Sequence, residues 1–364
     1  MISPPSRAGS ASTRALRPVW LLALACLATL ATVFAVPAHA AAKKLTAANW
    51  DAGAQRLVIK DGVMSEASGG GFAGASNLTG HAESQALAAI AARQEPTPEE
   101  TTPASPPVTP AVTAAASISV TRFDALLIDQ LGLADVAAHI QQTASAAGLK
   151  PPGYFGTEVV ARYVGLRYDH PAGEDSLELY PWNAITRAEA AHSFAVVLEA
   201  GGWAVSSARE TLEGFSLPHY SAAQLQVLRI AVSKIGMPYV WGGTTDGTED
   251  GLEHGGYDCS GFAWRVYKVS GLSWGTKILG RTAAEQAGEI SKGARIALQS
   301  VQPADLLFFG SAHFNSKATE ANVIHEGIAL SSEWAIHSSG QGVYVLPLTT
   351  GWLAQQFAWG RRVL

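Results

Sequence analysis

Cys259 and two histidines downstream of it carry the clearest chemistry in this sequence. Cys259 stands in GGYDCSGFAWRVYKVSG, which follows IGMPYVWGG and a polar loop. Residues 260–269 place apolar Phe262, Ala263, Val266 and Tyr267 at helical spacing, which predicts Cys259 at a helix N-terminus. The partial positive charge of such an end favours a thiolate, the nucleophilic form of cysteine. Gly256 and Gly261 let the backbone turn tightly around the sulfur. The competing reading, an inert apolar thiol, does not require this setting. A cysteine nucleophile needs a base, and the base needs an orienting group. His325 in VIHEGIAL and His337 in WAIHSSG lie on strand-like runs. If these runs are neighbouring antiparallel strands, the imidazoles share one face. His325 then takes the proton, and His337 fixes its tautomer through a ring-to-ring hydrogen bond.

The elements that must position these groups are legible from about Ser216 onward. Ser221 is placed to cap a helix over 222–235, with Leu225, Leu228, Ile230 and Val232 on its apolar side. LLFFG, VIHEGIALS, WAIHSSG and GVYVLPL read as short strands. One helix followed by antiparallel strands is an α+β layout. His254 and His313 lie in polar loops near acids, but no HExxH-like spacing accompanies them, so no metal and no cofactor is expected. Trp203, Trp264, Trp274 and Trp334 could stack on sugars, and core packing is the default reading for each.

IGMPYVWGG, YDCSGF, GRTAAEQ, VQPADLLFF, HEGIAL and IHSSG occur in the order found in the NlpC family of cell-wall cysteine peptidases, which residues 216–364 resemble. The resemblance implies a papain-like α+β domain with Cys259 as nucleophile, His325 as base and His337 as third residue. It implies that Tyr239 helps polarise the attacked carbonyl, and that Asp258 and Ser260 line the cleft and hold substrate. The implied substrates are muropeptide stems, cut commonly between D-glutamate and diaminopimelate. Three features depart from the pattern. The 244–255 loop is long and carries Asp246, Glu249, Asp250 and Glu253, four carboxylates that would repel acidic stems at the cleft; a solvated surface insertion is the alternative. The 310–322 loop is also long, and Glu326 follows the base where an apolar residue is usual.

Upstream, Arg7, Arg14 and Arg17 precede an apolar run over 19–36 and the sequence PAHA, which reads as a signal peptide over residues 1–40. Its removal takes away Cys26 and leaves Cys259 as the one thiol, with no internal disulfide and no membrane attachment. Residues 94–117 form a Pro/Thr/Ala-rich linker between a small module, 41–93, and a second helical region, 118–215. LTGHAESQALAAIA from Leu78, VTRFDALLIDQLGL from Val120 and ITRAEAAHSFAVVL from Ile185 resemble one another. Thr121 with Asp124, and Thr186 with Glu189, have the spacing of a helix start. These stretches resemble S-layer-homology repeats, which implies binding to cell-wall polymers; a plain helical spacer is the alternative. Hydrophobic residues make up 48% of the chain and charged residues 15%, with a net charge of −5 and no basic patch, which argues against a nucleic-acid partner. The expected protein is thus a secreted or wall-associated endopeptidase acting on peptidoglycan stems. An acyl or amide transferase using the same thioacyl-enzyme, and a non-catalytic wall-binding protein, are the alternatives.

Overall fold

A computed structural model of the 364-residue chain describes residues 46, 49–93, 116–171, 173–311 and 319–364. The expected signal peptide and most of the expected linker lie outside the described residues. Among the described residues, seven helices precede the peptidase-like region: α1 (Ala52–Lys60), α2 (Gly80–Ala91), α3 (Val120–Gln130), α4 (Ala134–Ala146), α5 (Phe155–Tyr163), α6 (Arg187–Glu199) and α7 (Gly202–Glu213). Hydroxyl caps begin α2, α3 and α6. Thr79 accepts from the Ala82 amide at 3.3 Å, Ser119 from Arg122 at 3.3 Å and Thr186 from Glu189 at 3.2 Å. Each satisfies an amide that has no partner inside its helix.

The extended residues before these three helices pair in a ring: Asn77 with Thr186, Thr79 with Ser117, and Ser119 with Ala184. Each segment buries one aliphatic side chain, Leu78, Ile118 or Ile185. This arrangement corrects two expectations. The second cap is Ser119, two residues before Thr121, because strand-like pairing continues through Ile118 and Ser119 before the helix starts. Asp124 is no cap partner; it is fully buried and accepts from Arg167 at 2.7 Å. The Pro/Thr/Ala-rich stretch also does not separate two modules, since Thr79 and Ser117 pair across it and both sides share one core.

A buried imidazole ties this helical body together. His170 Nδ1 lies 2.8 Å from Glu178 and Nε2 lies 3.1 Å from Glu189, the acid of the TRAE stretch. Trp50 covers the ring at 4.6 Å between centroids. Burial pulls His170 down, but the hydrogen bonds to Glu178 and Glu189 outweigh it and raise it to about 9. The ring therefore bridges two carboxylates as an imidazolium. Its stabilisation is full below the ordinary histidine value near 6.5 and is lost as pH rises through about 9. His170→Ala is expected to cost about 3–5 kcal/mol in urea unfolding at neutral pH, because it leaves two buried carboxylates without their cation. A loss under about 1 kcal/mol, the scale of an exposed pair, would contradict this bridge.

The C-terminal region opens with α8 (Ala222–Ser233), where Ser221 and Gln224 form a reciprocal capping box. A two-residue ladder, β1 (Thr244–Thr245) with β2 (Gly256–Tyr257), closes the long acidic loop. Then come α9 (Cys259–Lys268), α10 (Ala283–Gly288), β3 (Leu306–Gly310), β4 (Val323–Ala329), β5 (Trp334–Ser339), β6 (Gly342–Pro347), α11 (Gly351–Gln356) and β7 (Phe357–Arg361). Strands β3 to β7 form one antiparallel sheet of order β6-β5-β4-β3-β7. This is the α+β architecture expected. The sequence reading missed β7, where Gly360 and buried Arg361 interrupt the apolar run. The sheet is covered on both faces. Leu306, Phe308, Ile328, Ile336 and Trp359 join the main core, and Leu307, Phe309, Ala329, Ala335 and Phe357 join a second cluster with Leu353 of α11. Trp334 is core, as expected by default, and packs on Phe215. Trp264 and Trp274 are half-buried against the core, whereas Trp203 is 78% exposed, contrary to that default.

Candidate active site

The site is built where a helix start meets a fork between two strands. Helix α9 buries Phe262, Ala263, Val266 and Tyr267, and Asp258 caps it by accepting from the Gly261 amide at 2.6 Å. Gly261 is required by close approach: a Cβ there would lie 2.1 Å from the Gly243 carbonyl oxygen. Pairing between β4 and β5 runs only as far as Gly327 opposite His337. Beyond that pair, the Glu326 amide turns to the Cys259 sulfur, and the Ser338 hydroxyl donates to the Tyr257 carbonyl at 2.6 Å. The nucleophile segment therefore occupies the gap between the parting strands. Cys259 itself is partly exposed and carries a free thiol.

His325 and His337 sit on one sheet face, because His337 is opposite Gly327 and His325 is two residues from Gly327. Their rings meet at 2.8 Å, His325 Nε2 to His337 Nδ1. That contact leaves Nδ1 of His325 as the nitrogen available to a thiol proton. For Nδ1 to accept, the His325 proton must reside on Nε2 and be donated to His337. His337 then carries its own proton on Nε2, which has no hydrogen-bond partner among the described residues. Its ring lies 4.4 Å from that of Tyr344.

Gly327 makes this contact sterically feasible. A Cβ at Gly327 would stand 2.9 Å from the His337 Cβ and 3.0 Å from the Ile336 carbonyl oxygen. Gly327→Ala is therefore expected to push the two rings apart and lower kcat/KM on a stem-peptide substrate about a hundredfold, the scale of an ångström-sized misplacement. A thermal melt beside the assay separates this from unfolding. A folded variant of full activity would contradict the steric argument.

Burial dominates the resting electrostatics. Burial first, then the charges of Glu326 and Asp258, push the Cys259 thiol up to about 12, although the Glu326 and Ser260 amides oppose this. Burial pushes His325 down to about 4 and, with His325 beside it, His337 well below the usual range. The resting pair is thus a neutral thiol and a neutral imidazole. The helix end, expected from sequence to hold a thiolate, is outweighed by desolvation and like charge. Proton transfer to His325 must then accompany attack.

The remaining expected site residues lie around the sulfur. Tyr239 is half-buried; burial first, then the charges of Cys259 and Asp258, keep its phenol protonated and able to donate. Asp258 and Ser260 are buried, and their polar atoms are engaged. Asp258 accepts from the Gly242 amide at 3.0 Å and from Arg281 at 2.8 and 3.0 Å, and Arg281 also donates to Ser260 at 3.1 Å. The surface they present is thus the guanidinium of Arg281, 41% exposed, a residue that sequence reasoning did not single out. It stands in the GRTAAEQ stretch, whose arginine was the available signal.

The carboxylates of the acidic loop also hold the loop together. Asp246 pairs with Lys234 and accepts from the Tyr257 hydroxyl at 2.8 Å. Glu249 accepts from the Thr245 hydroxyl, and Asp250 from the Thr244 amide at 2.8 Å. Three of the four carboxylates therefore fold the loop. Its end leans on the helical body, where the Gly255 amide donates to the Tyr180 hydroxyl at 3.0 Å and His254 stacks on Tyr180 at 4.5 Å. His313 lies outside the described residues.

Comparison with known proteins agrees with the C-terminal region. Residues 236–362 match the model of the NlpC/P60 family. Over 133 residues the chain is 31% identical to a gamma-D-glutamyl-L-lysine dipeptidyl-peptidase of Bacillus cereus, covering 36% of this chain and 33% of that protein. Over 136 residues it is 30% identical to a bifunctional muramidase/DL-endopeptidase, CwlT, of Bacillus subtilis, covering 37% and 35% respectively. The chain thus spans about a third of the length of these relatives. The crystal structure of the NlpC/p60 domain of the peptidoglycan hydrolase SagA aligns with a TM-score of 0.28 at 28% identity, over 38% of this chain and 97% of that one.

Proposed function

We propose, from the NlpC/P60 domain at residues 236–362, that this protein is a cysteine endopeptidase that hydrolyses peptidoglycan stem peptides. The observation that carries the reading is the fork. It sets the partly exposed Cys259 against the strand that bears His325, with the His325 ring locked to His337. In the proposed reaction the sulfur bonds to the peptide carbonyl carbon as His325 accepts the thiol proton. The tetrahedral oxyanion lies near donors that include the Tyr239 phenol. Its collapse breaks the C–N bond while His325 protonates the leaving amine. Water, deprotonated by His325, then cleaves the thioester and frees Cys259.

The bond proposed is the one following D-glutamate, with a diamino acid such as diaminopimelate on its far side. The Bacillus cereus relative, a gamma-D-glutamyl-L-lysine dipeptidyl-peptidase, supports that choice. Mass spectrometry of purified muropeptides after digestion tests it. The expected products are two fragments whose masses together exceed that of the substrate by one water, the D-glutamyl fragment ending in a free carboxyl and the other in a free amine. Products joined to an added amine in preference to water would assign the chain to acyl transfer instead. Export through the 1–40 signal, with the helical body holding the enzyme at the wall, completes the proposal. The ring of three capped segments supports a repeat origin for that body. Sedimentation of the full chain with purified walls, but not with walls stripped of their accessory polymers, is the expected outcome.

A further inference from the structure

Glu326 has no part in the reaction as described, yet it is fully buried beside the nucleophile. It follows the base on β4, and alternation sends its side chain to the opposite face from His325. It pairs across β3 with Phe308, whose other neighbour is Trp359 of β7, all on the face covered by α9 and α10. Its backbone amide faces the Cys259 sulfur and favours its ionised form. Neither carboxyl oxygen has a hydrogen-bond partner among the described residues. Buried carboxylates are ordinarily paired, and one without a partner keeps its proton instead.

The charges facing Glu326 do not neutralise it. From the α9 start come Cys259 and Asp258, both of which oppose a negative neighbour. Before and after α10 stand Arg281 and Glu289, and α10 itself contributes Gln286, uncharged and buried. From β7 comes Arg361. Both arginines are already committed, Arg281 to Asp258 and Arg361 to Glu289. Burial, then Asp258, push the Glu326 carboxyl well above the usual range, with Arg361 pulling the other way.

We propose that Glu326 is a positioning residue that damps the alkaline rise in the reactivity of Cys259: uncharged, its carboxyl adds no charge behind the sulfur; charged, it opposes the thiolate from behind. The sequence departure at this position, an acid where the resemblance leads one to expect an apolar residue, then acts as a built-in alkaline brake. The inference extends the nucleophile assignment made above, but it can be tested without any peptidase activity. The measurement is the rate of iodoacetamide alkylation of Cys259 in the full chain, followed by peptide mapping from about pH 6 to about pH 10, a range that reaches well above the ordinary carboxyl values.

Wild type and Glu326→Gln should react alike near neutrality. In the alkaline range the variant should become about tenfold faster, the effect of one unit of thiol shift. Glu326→Leu should follow the glutamine variant, so that a folding defect in one does not decide the matter; circular dichroism identifies such a defect. Superimposed profiles throughout would overturn the proposal. A variant already faster at neutral pH would overturn it too, since Glu326 would then be charged under ordinary conditions. Divergent alkylation profiles in a protein inert toward muropeptides would sustain this inference while removing the peptidase reading.

Discussion

Cys259→Ala is expected to leave the fold intact and to lower stem-peptide hydrolysis by at least about a thousandfold. The side chain is partly exposed and small, and the two amides that point at its sulfur, from Glu326 and Ser260, lose only a weak acceptor. The stability change should therefore stay near about 1 kcal/mol, the net worth of an ordinary hydrogen bond. Chemically the loss is total, because the hydroxyl in the fork, that of Ser338, is buried and already donates to the Tyr257 carbonyl at 2.6 Å. Ser260 is the nearest hydroxyl in sequence, but it is 4% exposed and held by Asp258 and Arg281. Circular dichroism and a melt confirm folding beside the assay. Substantial residual turnover in the alanine variant would place the nucleophile elsewhere.

His325→Ala is the second change with a large expected effect. Removal of a general base typically costs about 10²–10⁴-fold in rate. Here the loss should lie toward the upper end, because the resting thiol is neutral and needs a proton acceptor at the moment of attack. His337→Ala should cost less, since that ring orients the base through the 2.8 Å contact and moves no proton to substrate. The comparison also has a pH signature. With His325 depressed to about 4, its neutral form persists well below the ordinary histidine value, so the acid limb of kcat/KM should fall lower than about pH 6. An acid limb at the ordinary value, or a His325 variant as active as wild type, would contradict the assignment of the base.

Much of this site was legible because its signals are local. The helix start at Cys259 follows from four apolar residues at helical spacing, and the strands from short apolar runs. The meeting of His325 and His337 follows from adjacent antiparallel strands, with Gly327 leaving the space. What sequence did not disclose was long-range and electrostatic. The grip of Arg281 on Asp258 joins residues 23 apart, and nothing local marks it. The hydrogen bonds of Asp246, Glu249 and Asp250 depend on a loop folding back on itself and on Lys234, so a run that reads as a repelling surface also serves as the loop's own scaffold. The Ser119 cap was misplaced by two residues because the hydroxyl of Thr121 offers an equally good pattern; only pairing with Ala184 distinguishes them. The union of helices on both sides of the proline-rich stretch is likewise a tertiary fact. Burial accounts for the reversal at Cys259, where the helix-end field was visible in sequence and the desolvation opposing it was not.

The account rests on Cys259 as the attacking group, and graded alkylation tests that most directly. The full chain is treated with increasing iodoacetamide, the modified fraction at Cys259 is read by peptide mapping, and hydrolysis of a purified stem peptide is measured on the same samples. Activity should fall in proportion to the modified fraction and reach zero when Cys259 is fully carbamidomethylated. Full hydrolytic activity in a completely modified protein would contradict the account.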